Sequence, residues 1–459
     1  MNSLISHPDF LPALSISGIF LLTFLAAEVL RYYANFKIEA TRKFVHMTAG
    51  IVALTFSYIF KSHWTLLILC TIFVILMEVT RKLNLLQSIH RIERRSSGSI
   101  YHPIAIYTTY CFASVLKKPE FYFISILVLS ISDSLAALIG STYGFKLYRV
   151  QEENKSIEGS TIFFFSTFII IHIGLLLLTD IGRLESILGA IIIAICITLF
   201  EAIALHGVDN LIIPWGTLFI LYRFDGLSAL ALVHQLFKVG TSFFFSYVLS
   251  FPSGKFGATG SMAFALFAYA AWAMIGLDWF VSALLGLILV SYTDLFIGNP
   301  KEENEIKRIR NVFYAVAVAA MWLVITSFFY NQKQIFVVPY LVALLSQMSI
   351  LWKKRRAELE NEGKKSKNFF QDFNLFLRAL TLTVLFLIPF LLFDNSLSPW
   401  FSLVTCVIGI IMADGFFFSM TLFGQWDLIK DLRARMWADL LSTLIIFLVN
   451  YFWYATRSF

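Results

Sequence analysis

The chain has 459 residues, of which 58% are hydrophobic and 14% charged, and its formal net charge is +7. Soluble domains carry about 25% charged residues, so these figures exclude a water-surrounded globule for most of the surface. In so apolar a chain the positive balance reads as an orientation signal for membrane insertion, and no nucleic-acid partner is expected.

Long apolar runs recur from one end to the other. In chain order they cover 11–30, 44–60, 64–79, 104–116, 121–140, 161–178, 187–205 and 211–222, then 227–250, 260–275, 279–298, 312–330, 335–352, 376–393, 400–423 and 440–453. Read as membrane spans they give about sixteen helices. The expected class is therefore an all-α, polytopic integral membrane protein in two bundles, with a boundary between residues 1–225 and 226–459. The polar stretch 355–372 reads as a linker. Residues 1–10 lack the basic start of a signal peptide. Cys70, Cys111, Cys196 and Cys406 all lie in apolar runs and have no metal-ligand spacing.

Basic residues alternate between loops. Lys37, Arg42, Lys43, Arg81, Lys82, Arg91, Arg94, Arg95, Lys146, Arg149 and Lys155 fall on one side. Only Lys61, Lys117, Lys118, Arg183 and Arg223 fall on the other. The richer side is expected to be cytoplasmic, which puts the N-terminus outside.

Ionisable residues near membrane helices are costly and so are functional candidates. Arg42 and His46 are four apart and share a helix face. Lys43 between them, taken alone, is explained as a snorkelling interfacial anchor. Glu78 has Arg81 one turn away, and a local ion pair explains both about as well as a site does. Asp133 interrupts an apolar helix, followed by Gly140 and Gly144, which free the chain to turn. Lys155, Ser156, Glu158, Gly159 and Ser160 then lead into the next helix. A lysine, hydroxyls and free helix-start N–H groups suit a phosphate, although Ser156 or Ser160 also fits as a plain helix cap. Glu201, Asp209 and Asn210 offer oxygen ligands for a hard cation, and Asp209 alternatively caps a helix. All of these residues map to one side of the membrane. There is no G-x-x-x-x-G-K-[ST] loop and no dinucleotide fingerprint.

Four motifs occur in order: Arg-Lys-x-x-His at 42–46, Ser-Asp-Ser-x-Ala-Ala-x-x-Gly at 132–140 with Gly144, Lys-Ser-x-Glu-Gly-Ser at 155–160, and Val-Asp-Asn-Leu-x-x-Pro at 208–214. Over roughly the first 220 residues, a length that suits such a membrane module, this resembles the polyprenol kinase family, which includes dolichol kinase, phytol kinase and the CTP-dependent diacylglycerol kinase of fungi. Ser132 stands where that family commonly has Gly. The resemblance implies transfer of a phosphate from CTP, or sometimes another nucleoside triphosphate, to a membrane-dissolved lipid alcohol. Asp133, His46 and Lys155 would be catalytic. Arg42, Lys43, Gly140, Gly144, Ser156, Glu158, Gly159 and Ser160 would face the nucleotide. Asp133, Glu201, Asp209 and Asn210 would hold Mg²⁺. Two rival classes use similar parts: a CDP-lipid synthase, which releases pyrophosphate, and a secondary transporter, whose site usually lies at the midplane.

The second half is similar to the membrane family that includes phytyl-phosphate kinase at 254–263, at Asp278-Trp279 and at Arg310-Asn311-Val312. The acidic motif of that family is replaced by Leu341-Val-Ala-Leu-Leu-Ser-Gln347-Met348. A packing or channelling role is therefore expected there.

Overall fold

The computed structural model describes residues 8–83, 85–86, 98–150, 153–204, 207–250, 257–297, 305–361, 375–393, 397–421 and 428–456. Arg91, Arg94, Arg95 and residues 254–256 lie outside them, as do residues 362–372 of the expected linker; residues 355–361 instead continue a helix, Lys333–Asn361.

The chain divides into two compact units, Met1–Leu236 and Phe237–Phe459. In the first, α1 (Phe10–Ala34), α2 (Ile38–Leu54), α3 (His63–Lys82), α4 (Gly98–Leu116) and α5 (Pro119–Leu127) run to a π-helical turn, Val128–Ser132, and then α6 (Asp133–Tyr143). A hairpin of β1 (Leu147–Val150) and β2 (Glu153–Ser156) follows. Then come α7 (Ile157–Leu178), α8 (Arg183–Ile203), α9 (Asp209–Phe224) and α10 (Ala229–Ser250), within which the division falls. The second unit contains α11 (Gly257–Met274), α12 (Leu277–Ile297), α13 (Glu305–Phe328), α14 (Lys333–Asn361), α15 (Leu375–Phe393), α16 (Pro399–Thr421) and α17 (Leu428–Ala455).

The expected all-helical character holds, save for the hairpin. The structure does not confirm the expected number of about sixteen spans. Among the described residues 7 helices are long and apolar enough to cross a membrane, or up to 8 if Tyr314–Phe328 and Tyr330–Gln347, bent by 110°, form one span. The physical reason is that several apolar runs are short or carry charge. The 17 residues of α2, for example, include Glu39, Arg42 and Lys43. Large apolar side chains face outward, Leu22 being 68% and Leu177 76% exposed. Soluble proteins rarely present contiguous apolar surface of that kind, and lipid tolerates it.

Inside the first unit, Phe121, Ile124, Ile126, Leu129, Phe163, Ile171, Ile193, Ile197 and Ile213 form a solvent-free core. Two glycines set its close approaches. A Cβ on Gly174 of α7 would meet Ile124 Cγ1 at 2.7 Å, and one on Gly50 of α2 would collide with Ser130 in the π-turn. Gly50 thus lets α2 lie directly on the turn that precedes Asp133. Tyr122 Oη of α5, the helix that leads into the turn, fastens α2 as well by donating to the Ala53 carbonyl at 2.7 Å. At the other end of the bundle, Asp9 accepts from Lys61 N (3.0 Å), Ser62 N (2.9 Å) and Thr65 Oγ1 (3.1 Å), satisfying the start of α3.

Candidate functional site

Asp133 opens α6 straight after the π-turn. Such turns insert an extra residue and re-aim the side chains that follow, and they occur often at functional sites. Here Asp133 Oδ2 accepts from Lys43 Nζ at 2.5 Å and lies 3.3 Å from His46 Nε2. Lys43 and Asp133 are both buried. The structure thus replaces the reading of Lys43 as a snorkelling anchor, because its ammonium turns inward to a carboxylate ninety positions along the chain. His46 Nε2 also lies 3.3 Å from the Leu129 carbonyl. With two acceptors before it, Nε2 is assigned as the protonated nitrogen and Nδ1 as the basic one.

Lys155, on β2, forms the second buried pair. Its Nζ donates to Glu201 Oε1 at 2.8 Å and also to the Glu201 carbonyl at the end of α8. Burial opposes the charge on Lys155, but Glu201 and Asp209 outweigh it and hold the ammonium above its ordinary pKa. Burial, followed by the nearby Glu201 carboxylate, also raises the phenol of Tyr148, whose hydroxyl bonds Ser160 Oγ at 2.7 Å. The hairpin register pairs Tyr148 with Lys155.

These groups surround a cavity of about 280 Å³. Of the residues singled out in the sequence, Arg42, Lys43, Asp133, Gly140, Lys155, Ser156, Gly159, Ser160, Glu201, Asp209 and Asn210 line it. The start of α7 points into the same region. Ser156 Oγ accepts from Gly159 N at 3.0 Å, so the cap and the cavity wall are one structure. The glycines allow close packing. A Cβ on Gly140 would meet Ser156 Oγ at 2.9 Å, and one on Gly159 would meet the Ala136 carbonyl at 3.0 Å. Gly144 is a packing position too, since a Cβ there would meet Ser156 Cβ at 2.7 Å.

His46, Gly144 and Glu158 are not cavity-lining residues. His46 stands behind Asp133. Glu158 turns to the hairpin, where its carboxylate accepts from Lys146 N at 3.2 Å. Glu78 pairs with Arg81 at 2.6 Å, a local contact away from the site. Sequence reading missed Glu39, which holds Arg42 at 2.5 Å and lines the cavity. It also missed His102 of α4, whose ring centroid lies 4.2 Å from that of His46. The i,i+3 spacing of Glu39 and Arg42 was a readable signal. His102 has no such neighbour in the chain.

The cavity wall carries four acids, Glu39, Asp133, Glu201 and Asp209, and three bases, Arg42, Lys43 and Lys155. A nucleoside triphosphate needs cationic help against that balance. Mg²⁺ usually takes one or two carboxylates together with substrate phosphates. No group of three His, Cys, Asp or Glu side chains poised for a metal occurs among the described residues. Asp209 fits the lighter requirement. It lines the cavity, accepts from its neighbour's backbone at Asn210 N (3.1 Å), and has no ion-pair partner among the described residues. Asn210 is committed elsewhere, its Nδ2 donating to the Gly98 carbonyl at 3.1 Å.

Comparison with known proteins adds one relative. The chain is 28% identical over 193 residues to a phytol kinase from Synechocystis sp.; the match takes in 42% of this chain and 82% of the relative. Part of the protein is thus phytol-kinase-like. No family model matches the chain, and no solved structure does.

Proposed function

We propose that the first unit phosphorylates a membrane-dissolved lipid alcohol, of the phytol or polyprenol type, with CTP as donor. The observation that carries this reading is the Lys43–Asp133 pair at the wall of a charged cavity beside the start of α7, with His46 in contact with the same carboxylate. Phosphoryl transfer asks a protein mainly for positioning and charge stabilisation, and these residues supply both. Lys155, Arg42 and the N–H groups at the start of α7 receive the phosphates. Asp209 and Asp133 would hold Mg²⁺, which supplies charge neutralisation on the phosphate oxygens. The alcohol oxygen bonds to the γ-phosphorus while the bridging P–O bond breaks, its electron pair leaving on CDP. The hydroxyl proton passes to the Asp133–His46 pair. The lipid tail remains in the bilayer, so no soluble cavity is needed for it.

Purified full-length protein in detergent, given labelled CTP, Mg²⁺ and a panel of lipid alcohols, should yield the lipid monophosphate and CDP. Release of pyrophosphate with a CDP-lipid would replace the kinase by a cytidylyltransferase. Exclusive use of ATP would remove CTP as donor. The basic-loop count further predicts that a tag near Gly98 is cytoplasmic and one near Lys118 external; finding both on one side would undo that orientation.

A further inference from the structure

A hydroxyl inside a helix commonly donates to the carbonyl four residues back. On α7 two residues do so: Thr161 Oγ1 donates to the Ile157 carbonyl at 2.8 Å and Ser166 Oγ to the Ile162 carbonyl at 2.7 Å. Ser160, one position before Thr161, departs from that habit. Its hydroxyl is held among the described residues by Tyr148 Oη of β1, at 2.7 Å. Ser160 lines the charged cavity, and Tyr148 does not. The one hydroxyl of the three that faces the cavity is thus the one drawn away from the helix backbone.

Two hydroxyls that share one hydrogen bond leave one proton over. The phenol is the stronger acid and the better donor, and burial keeps it protonated. With Tyr148 donating, the Ser160 proton is the one left over, and the cavity lies beside it. With Ser160 donating, the spare proton would sit on a phenol outside the cavity wall, with no further acceptor among the described residues. The phenol is also held in place. The hairpin is fastened to the start of α7 by Ile157 N, which donates to the Lys146 carbonyl at 3.0 Å, and by Lys146 N, which donates to the Glu158 carboxylate at 3.2 Å. Across the hairpin Tyr148 stands opposite Lys155, itself anchored to Glu201. A group carried by paired strands keeps its aim better than one on a free loop.

We propose that Tyr148 is a positioning residue for the nucleotide: by donating to Ser160 Oγ it leaves the Ser160 proton to be donated to a phosphate oxygen in the cavity. This deepens the kinase reading above and rests on it. The phenol touches no substrate and acts only through Ser160. A hydroxyl that already accepts one hydrogen bond is polarised and donates the next one more strongly, and a bond to a charged phosphate oxygen is the kind that gains most. The hairpin thereby has a task beyond connecting α6 to α7, since it sets the direction of a donor in the wall.

The test uses the full-length protein. Tyr148→Phe keeps the ring and removes the hydroxyl, so Ser160 should turn back to the Ser156 carbonyl. KM for CTP should then rise about tenfold, the worth of one hydrogen bond to a charged group, with kcat and KM for the alcohol as in the parent. Ser160→Ala should give the same rise, and the double variant no more than either single one, because the two changes remove one and the same donor. Effects that add would overturn the proposal. So would a Tyr148→Phe protein that unfolds at a lower temperature with an unchanged KM for CTP, or one that loses both substrates in parallel, since either result makes the bond a strut of the hairpin. Calorimetric titration of the Mg²⁺ complexes of CTP and ATP onto parent and variant in detergent, with no alcohol present, separates this inference from the kinase reading. If the parent binds either nucleotide and Tyr148→Phe binds it about tenfold more weakly, the positioning role stands, even where no alcohol is phosphorylated and the kinase reading falls. If the parent phosphorylates an alcohol while Tyr148→Phe binds the nucleotide as the parent does, the positioning role alone is refuted. A parent that binds neither nucleotide overturns both.

Discussion

Both units bury acidic side chains among helices, and they treat them differently. In the first, Asp133 and Glu201 meet Lys43 and Lys155 at the wall of a cavity. In the second, Asp439 of α17 is fully buried. Its Oδ1 accepts from Ser346 Oγ at 2.7 Å and its Oδ2 from Gln347 Nε2 at 3.2 Å, both on α14. Gln347 also reaches the Arg435 carbonyl at 3.3 Å, and Ser349 Oγ donates to Asp414 Oδ2 at 3.1 Å. This network ties α14 to α16 and α17 by polar contacts inside a bundle, where such bonds hold helices together. A buried acid is thus not a site by itself. The acids of the first unit differ in opening on space that a ligand can fill.

The largest effect should follow from breaking the Asp133 pair. Asp133→Asn should lower lipid phosphorylation by about 10³-fold or more, judged from the usual worth of charge stabilisation in a transition state. Labelled phosphate on the extracted lipid measures it. Lys43→Met should also inactivate, and by leaving a buried carboxylate unpaired it should cost about 3–5 kcal/mol of stability. The double variant Lys43→Met with Asp133→Asn should regain much of that stability and stay inactive. A double variant as unstable as the single one would mean that the pair is not the stabilising contact.

Next in size is Lys155→Ala. It removes the cation that Glu201 and Asp209 keep charged, and it should lower kcat/KM for the nucleotide on the order of 10²-fold. Nucleotide titrations at saturating alcohol read it. A smaller effect is expected of Gly159→Ala, whose new Cβ would stand 3.0 Å from the Ala136 carbonyl and 3.1 Å from Ser156 Oγ. The neighbours must give way, which weakens the Ser156 cap and should raise KM for the nucleotide several-fold with kcat little changed. If kcat falls and KM stays, α7 is not where the phosphates sit.

How much of this was legible follows from the cost of charge in lipid. Asp133 and Glu201 stand out in the sequence because apolar surroundings make each of them expensive, and Lys155 because it leads, with hydroxyls beside it, into a helix start. Arg42 and His46 stand out by helical spacing. The partner choices were not legible, since Lys43 and Asp133 are ninety positions apart and no local pattern joins them. His102 was hidden for the same reason, being linked to His46 only by a ring contact across the fold. The hairpin escaped because four-residue strands in a polar connection leave no alternation to read. Helix positions were legible from apolar runs, yet the number of spans was not, because a run says where a helix lies and not whether it is long enough to cross.

The smallest effect on chemistry should come from the second unit, and it gives the sharpest test of the comparison. Asp439→Asn keeps the shape of the side chain. Its amide oxygen can still accept from Gln347 Nε2, and the hydroxyl of Ser346, which rotates freely, can accept from its amide nitrogen. The change should therefore cost about 1 kcal/mol of stability, near the net worth of one hydrogen bond. Lipid phosphorylation should be unaltered. Asp439→Leu removes both acceptors, leaving Ser346 unsatisfied and Gln347 with its bond to the Arg435 carbonyl alone, so it should cost more, about 2–4 kcal/mol, with the same activity per folded molecule. Thermal unfolding in detergent and the phosphorylation assay, run side by side, separate the two quantities. Loss of phosphorylation in an Asp439→Asn protein that unfolds at the parent temperature would tie the second unit to the reaction, and the contrast between an open and a closed set of buried acids would no longer divide site from scaffold.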